Sequence, residues 1–129
     1  MNKEAQKIRA AYKKILSAPA INFPSSGPLD VTTDHGVYII LSPRNVVVHV
    51  GRTLRGREGL NQRLRNHLSG SSSFSRKYLI GKGAKLRSGY KYKFLAVKDA
   101  RKRALLEAYA IGNLCPKHLG LGQQGNSEK

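Results

Sequence analysis

Acidic side chains are scarce in this chain. Seven Asp and Glu stand against 24 Lys and Arg among 129 residues, a formal charge of +17. So few carboxylates argue against a two-metal centre, which needs several of them in one place. Cysteine is scarcer still. Cys115 stands alone, which excludes an internal disulfide and a cysteine-rich zinc site. No apolar run approaches the roughly 18 residues of a membrane span. The N-terminus MNKEAQKIRAAYKK carries charges where a secretory signal needs an apolar segment, so the chain reads as cytoplasmic.

What is present fits one globular domain. Forty per cent of the residues are hydrophobic, enough for a core and too many for a disordered chain. The positive charge is concentrated: 16 Lys and Arg lie between Arg52 and Arg103. Such a potential attracts polyanions by counterion release, with nucleic acid the leading candidate. A basic surface serving only solubility, or one binding anionic lipid, is the competing reading. No lipid motif and no exposed-looking hydrophobic wedge is evident to support the lipid alternative.

Periodicity divides the chain into elements. Ile8, Ala11, Tyr12, Ile15 and Leu16 follow helical spacing and predict a basic amphipathic helix over residues 3–17. The Pro-rich stretch SAPAINFPSSGPLDVTTD reads as a linker or a packed extended arm. Residues 1–34 are therefore a basic helix with its linker. GVYIILSPRNVVVHVG, residues 36–51, predicts a β-hairpin, and Leu60, Leu64, His67 and Leu68 predict a helix near 59–68. The polar, basic connection that follows holds a short helix near 74–79 and reads as an insertion touching the ligand. YKYKFLAV predicts a strand over 90–97. Asp99 is placed to cap a helix from about Ala100 to Leu114, which Pro116 ends. The tail, 121–129, reads as mobile. The order β-β-α-(short α)-β-α predicts a small α/β (α+β) domain over 35–120 with a three-stranded antiparallel sheet.

The hairpin carries two residues that a plain core strand does not need, Tyr38 and His49. A two- or four-residue turn sets them directly opposite each other, whereas a three-residue loop breaks that pairing. Both can move protons, and both can simply pack. Arg63 and His67 are an i, i+4 pair on the next helix. The planar guanidinium suits a phosphate oxygen. His67 suits a phosphate contact, an acid or the core. Glu107 sits mid-helix among Ala104, Ala110 and Ile111, where a carboxylate is costly to bury unless paired or metal-bound. An ion pair with Arg103 competes with a role as a hard oxygen ligand for Mg²⁺, which keeps most of its waters and needs few protein carboxylates.

Taken together, GVY (36–38), HVG (49–51), RLRNH (63–67) and LLEAYAIGNLCP (105–116) resemble the motifs of the GIY-YIG nuclease family, in the family's order and over about residues 35–120. The resemblance implies a small α/β domain that hydrolyses DNA phosphodiesters with one divalent metal, Mg²⁺ or Mn²⁺. It implies Tyr38 as the first motif tyrosine, Arg63 as the catalytic arginine, His67 as the histidine one turn later and Glu107 as the metal ligand. His49 replaces the second motif tyrosine. The family's asparagine beyond the glutamate has no clean match: Leu119, Gly120 and Gln123 stand in that region, with His118 the nearest strongly polar side chain. On this reading Tyr38 or His49 activates water. Arg52, Arg55, Arg57, Arg65, Arg76 and Lys77 contact DNA, so the chain is nucleoid-associated when bound. A domain this small makes one cut per site, and double-strand cleavage requires a dimer, two visits or a partner.

Overall fold

The computed structural model describes residues 2–120; the 121–129 tail, with Gln123, lies outside the described residues. Helix α1, Lys3–Ser17, starts at Asn2, whose side chain accepts from the Ala5 amide at 2.7 Å. It buries Ile8, Ala11 and Ile15, while Leu16 points outward at 37% exposure. A short strand β1, Ile21–Asn22, follows. The hairpin strands are β2, Gly36–Leu41, and β3, Val47–Arg52. Helices α2, Gly59–Ser69, and α3, Ser73–Lys77, and a 3₁₀ turn over Gly83–Arg87 lead to β4, Lys91–Ala96. Helix α4, Ala100–Leu114, closes the order, with Asp99 accepting from the Lys102 amide at 2.8 Å as expected of an N-cap.

The sheet has four strands in the order β1-β4-β2-β3, all neighbours antiparallel. The expectation of three strands is corrected by β1. The Pro-rich stretch is a packed arm, and Ile21 and Asn22 pair with Tyr92 and Lys91. The arm also completes α2. A helix leaves its first amides without partners, and no side chain caps α2. Instead Leu60 N–H donates to the Asp34 carbonyl at 2.9 Å and Asn61 N–H to the Thr32 carbonyl at 3.1 Å.

Because β2 is central, all six of its residues are buried, and side-chain alternation sends them to two cores. Val37, Ile39 and Val50 pack with Ile8, Ile15 and Leu106 beneath α1 and α4. Tyr38, Ile40 and Val48 pack with Leu60, Leu64 and Phe74 beneath α2 and α3. The sheet is thus the middle layer of three.

The hairpin register differs from expectation. Asn45 N–H bonds to the Ser42 carbonyl and Ser42 N–H to the Val46 carbonyl, both at 2.8 Å, with Asn45 in the left-handed region at φ 66°. That is a three-residue loop, the case that breaks the direct pairing. A bulge between Ile40 and Leu41 adds a further slip. Tyr38 therefore faces Gly51, and His49 faces Ile40. The displacement is two residues, an even number, so Tyr38 and His49 still share a face.

No helix among the described residues is long and apolar enough to cross a membrane.

Candidate active site

The even slip turns Tyr38 and His49 into diagonal neighbours, their ring centroids 5.9 Å apart. Opposite Tyr38 the strand has Gly51, and a Cβ there would run into the Tyr38 hydroxyl and its ring carbon. The glycine of HVG is therefore a steric requirement of the tyrosine. It lets the ring lie flat across β3.

Above this pair opens a cleft of about 620 Å³, whose lining includes Tyr38, His49, Arg52, Arg55, Arg63 and Glu107. Four elements supply them: β2, β3 with the loop after it, α2 and α4. Four of the five residues expected to carry chemistry thus meet in one depression. His67, the fifth, does not line the cleft. It is fully buried behind Tyr38, with Nε2 2.6 Å from the Tyr38 hydroxyl and Nδ1 2.6 Å from Ser72 Oγ. Ser72 Oγ also accepts the Ser75 amide at 3.1 Å. Of the roles open to His67, a phosphate contact, an acid or the core, its position is the core one, hydrogen-bonded to Tyr38.

The electrostatics of the buried groups follow from desolvation, which disfavours charge. Burial pushes the Tyr38 hydroxyl up to about 12, against the pull of the Arg63 guanidinium beside it. Burial outweighs the cation, so the neighbours do not bring the tyrosine down into a basic range. His49 is driven down to about 3 by burial first, then by His118 and Arg63. His67 falls well below its usual value for the same leading reason, with His49 and Arg63 adding to it. Both imidazoles are neutral at pH 7.

His118 joins this group. Its Nδ1 lies 3.1 Å from His49 Nδ1, so one of the two rings donates and the other accepts. The ring is brought there by the chain after α4. Cys115 turns in the left-handed region at φ 46°, and the Lys117 and His118 amides then bond to the Val47 and Val48 carbonyls at 3.2 and 2.9 Å. This covers the otherwise free edge of β3. His118 Nε2 is buried with no hydrogen-bond partner among the described residues.

Glu107 pairs with an arginine, but not with Arg103. Its Oε1 accepts from Arg52 Nη1 at 2.6 Å. Burial raises its pKa against the opposing pull of Arg52 and Arg63. Arg103 is instead buried at 5% exposure and donates to the Thr53, Val97, Lys98 and Leu54 carbonyls at 2.8–3.3 Å. It ties the loop after β3 to the start of α4. The sequence signal for this was Arg103 falling on the buried stripe with Leu106 and Ala110. Ser72 left no such signal.

Of the arginines expected to contact DNA, Arg52 and Arg55 line the cleft and Arg57 is exposed on the loop beside it. Arg65 lies along α2, bonded to Glu58 and, at 2.7 Å, to Asn61 Oδ1. Arg76 donates to the Ser71 carbonyl on α3's side of the domain. Lys77 is close enough to His118 to depress its pKa further after burial.

Among the described residues no group of three or more His, Cys, Asp or Glu is placed to hold a metal ion. A closed structural metal site is therefore absent from them. One cleft-lining carboxylate does suit Mg²⁺ or Mn²⁺, whose remaining positions can be filled by water and a substrate phosphate.

No protein-family profile matches the chain, and no curated protein matches it. Among solved structures it is similar to the GIY-YIG N-terminal endonuclease domain of UvrC from Thermotoga maritima, in a form bound to its catalytic divalent cation, magnesium. Identity is 24%, with 91% of this chain and 97% of that chain covered and a TM-score of 0.48. A tyrosine-to-phenylalanine variant of the same domain, also bound to its catalytic divalent cation, gives 24% identity, the same coverages and a TM-score of 0.49.

Proposed function

We propose that this chain is a metal-dependent endonuclease that hydrolyses DNA phosphodiester bonds with a single divalent ion, Mg²⁺ or Mn²⁺. The observation that carries this reading is the convergence of Tyr38, His49, Arg63 and Glu107 on one cleft in a chain of formal charge +17. The motif resemblance supplies the roles.

Glu107 is the residue to hold the ion, and its Arg52 partner is released to the substrate's phosphate when it does. Bound there, the ion would neutralise charge developing on the phosphate and the leaving oxygen. Arg63 donates to a non-bridging oxygen, where a guanidinium stabilises the added negative charge of the transition state. A water oxygen attacks phosphorus, and the bond to the leaving sugar oxygen breaks.

Of the two candidates for the water's proton, His49 is the group in the accepting form at neutral pH. Its Nδ1 is engaged with His118, leaving Nε2 to receive the proton, and the phosphodiester's charge favours the imidazolium so formed. Tyr38, a neutral phenol held by His67, orients the water. The leaving oxygen takes its proton from solvent.

The test is nicking of supercoiled plasmid in Mg²⁺ or Mn²⁺ by wild type and by Glu107→Ala, Arg63→Ala and Tyr38→Phe. Undiminished nicking by the glutamate variant would overturn the metal assignment. His49→Tyr, which restores the family-like residue, moves the pH optimum upward if His49 is the base. A second reading, a DNA-binding protein without catalysis, is favoured by one observation, the Arg52 guanidinium on the Glu107 oxygen. It predicts metal-independent binding and no cleavage of single-stranded, double-stranded or branched DNA.

A further inference from the structure

The most exposed large hydrophobic residue described does not line the cleft but sits in the turn after α3. Ile80 is 78% exposed and sits in the left-handed region at φ 55°. A β-branched residue is a true outlier there, because its Cβ meets the backbone. Gly81 follows at φ 77°, so the turn uses two left-handed residues in succession. Neither burial nor backbone geometry asks for isoleucine at 80. Glycine or asparagine would suit the turn better on both counts. Strained outliers of this kind cluster where the surroundings hold them for function.

The surroundings do hold it. Leu79 is buried at 1% exposure beside Phe74. Tyr78 and Gly81 N–H groups bond back to the Phe74 and Ser75 carbonyls at 2.8 and 2.9 Å, and Lys82 N–H to the Leu79 carbonyl at 3.0 Å. The tip is backed by a column of rings: Tyr78, 37% exposed, stacks on Phe74 at 5.5 Å and 11°, and Phe74 stacks on His49 at 4.7 Å and 23°. Arg76, Lys77, Lys82 and Lys85 flank the tip within five residues of Ile80 along the chain, and all four are exposed.

An apolar point held on a turn and flanked in the chain by exposed cations is the form taken by side chains that enter between base steps, the cations taking the phosphates on either side. A lipid surface needs a broad apolar helix face, and this is a single side chain. A single strand is bound by exposed aromatic faces, whereas Tyr78 is committed on one side to Phe74.

We propose that Ile80 is a wedge that inserts between base steps of duplex DNA and kinks it. The proposal rests on the reading of DNA as the substrate.

Binding is measured on the full chain in EDTA, so that cleavage plays no part. The probes are a duplex of about 30 base pairs carrying 2-aminopurine and the same duplex with a fluorophore pair on its ends. Wild type is expected to raise the 2-aminopurine signal several-fold and to shorten the end-to-end distance. Ile80→Gly is expected to lose both effects. Its melting temperature should be unchanged or higher, because glycine accepts the left-handed backbone, and the salt dependence of its binding should be kept, because no cation is removed. Ile80→Asn, also tolerant of that backbone, is the second variant. Binding without fluorescence change or bending overturns the wedge alone. So does retention of both effects by the two variants, or Ile80-dependent binding to phosphatidylserine vesicles without duplex distortion. Failure of wild type to bind duplex overturns the wedge, and failure to bind single-stranded and branched DNA as well overturns the DNA reading with it.

Discussion

Replacing Glu107 by Gln separates a carboxylate kept for stability from one kept for a ligand. The ion pair it would break has partly exposed members, 33% for Arg52 and 21% for Glu107, and such pairs contribute about 0–1 kcal/mol. Against this stands the burial of the carboxylate, which raises its pKa despite two nearby arginines. A folded pKa above the unfolded value of 4.5 means the native state holds the proton more tightly. The neutral form therefore gains stability at low pH, and that gain is lost as pH rises through the folded pKa. Glu107→Gln removes the group, so its stability relative to wild type should improve as pH rises from about 4.5 toward neutrality.

The net change at pH 7 should stay within about 1 kcal/mol, or roughly 4 °C in Tm for a domain of this size. Metal should then separate the two proteins. For a dissociation constant of about 1 mM, about 10 mM free Mg²⁺ stabilises wild type by about 1.4 kcal/mol, and should leave the variant unchanged. Thermal unfolding with and without Mg²⁺, beside plasmid nicking, measures all of this. A variant that loses more than about 3 kcal/mol, or that keeps the Mg²⁺-dependent rise in Tm, would refute the reasoning, because Glu107 would then be a structural partner of Arg52.

The supporting groups make further predictions. Tyr38→Phe strands a buried His67 nitrogen and should cost about 1–3 kcal/mol in urea unfolding, while adding His67→Leu should cost less than the two single losses together; strict additivity would show that the 2.6 Å contact carries no energy. Gly51→Ala should displace the Tyr38 ring and reduce both stability and cleavage, and an unaltered near-ultraviolet circular dichroism spectrum would count against the clash. Arg103→Met leaves four carbonyls without their donor and should destabilise by about 3–5 kcal/mol, more than any cleft-lining substitution. His49, lowered to about 3, contributes stability that is complete above pH 6.5 and declines toward pH 3, by up to about 1.4 kcal/mol per pH unit; His49→Tyr should flatten that part of the acid profile.

Much of this was legible in the residues because it is local. Helical spacing and caps are set within a few positions, so Asn61 to Leu68 and Asp99 to Leu114 are readable as helices without a fold. The ordered motifs marked Tyr38, His49, Arg63 and Glu107, which the cleft then gathers. The hairpin shows where local reading fails. Its register depends on whether Asn45 adopts the left-handed region, a choice of about 1 kcal/mol that composition of the turn leaves open.

The tertiary structure alone decided which partner each charged or polar group meets. Arg103 is the neighbour of Glu107 on the same helix, yet Arg52 from β3 reaches it, because Arg103 is drawn inward by the carbonyls of two separate segments, Thr53–Leu54 and Val97–Lys98. His67 stands one helical turn from Arg63, yet only its burial against Tyr38 and Ser72 turns it from a candidate ligand into a support. His118 enters the site through two backbone bonds to the edge of β3, and Ile80 is exposed because Leu79 and Phe74 anchor the turn beneath it. Periodicity assigns residues to faces; which face meets which is set by long-range packing, and the chemistry of this cleft depends on that second step.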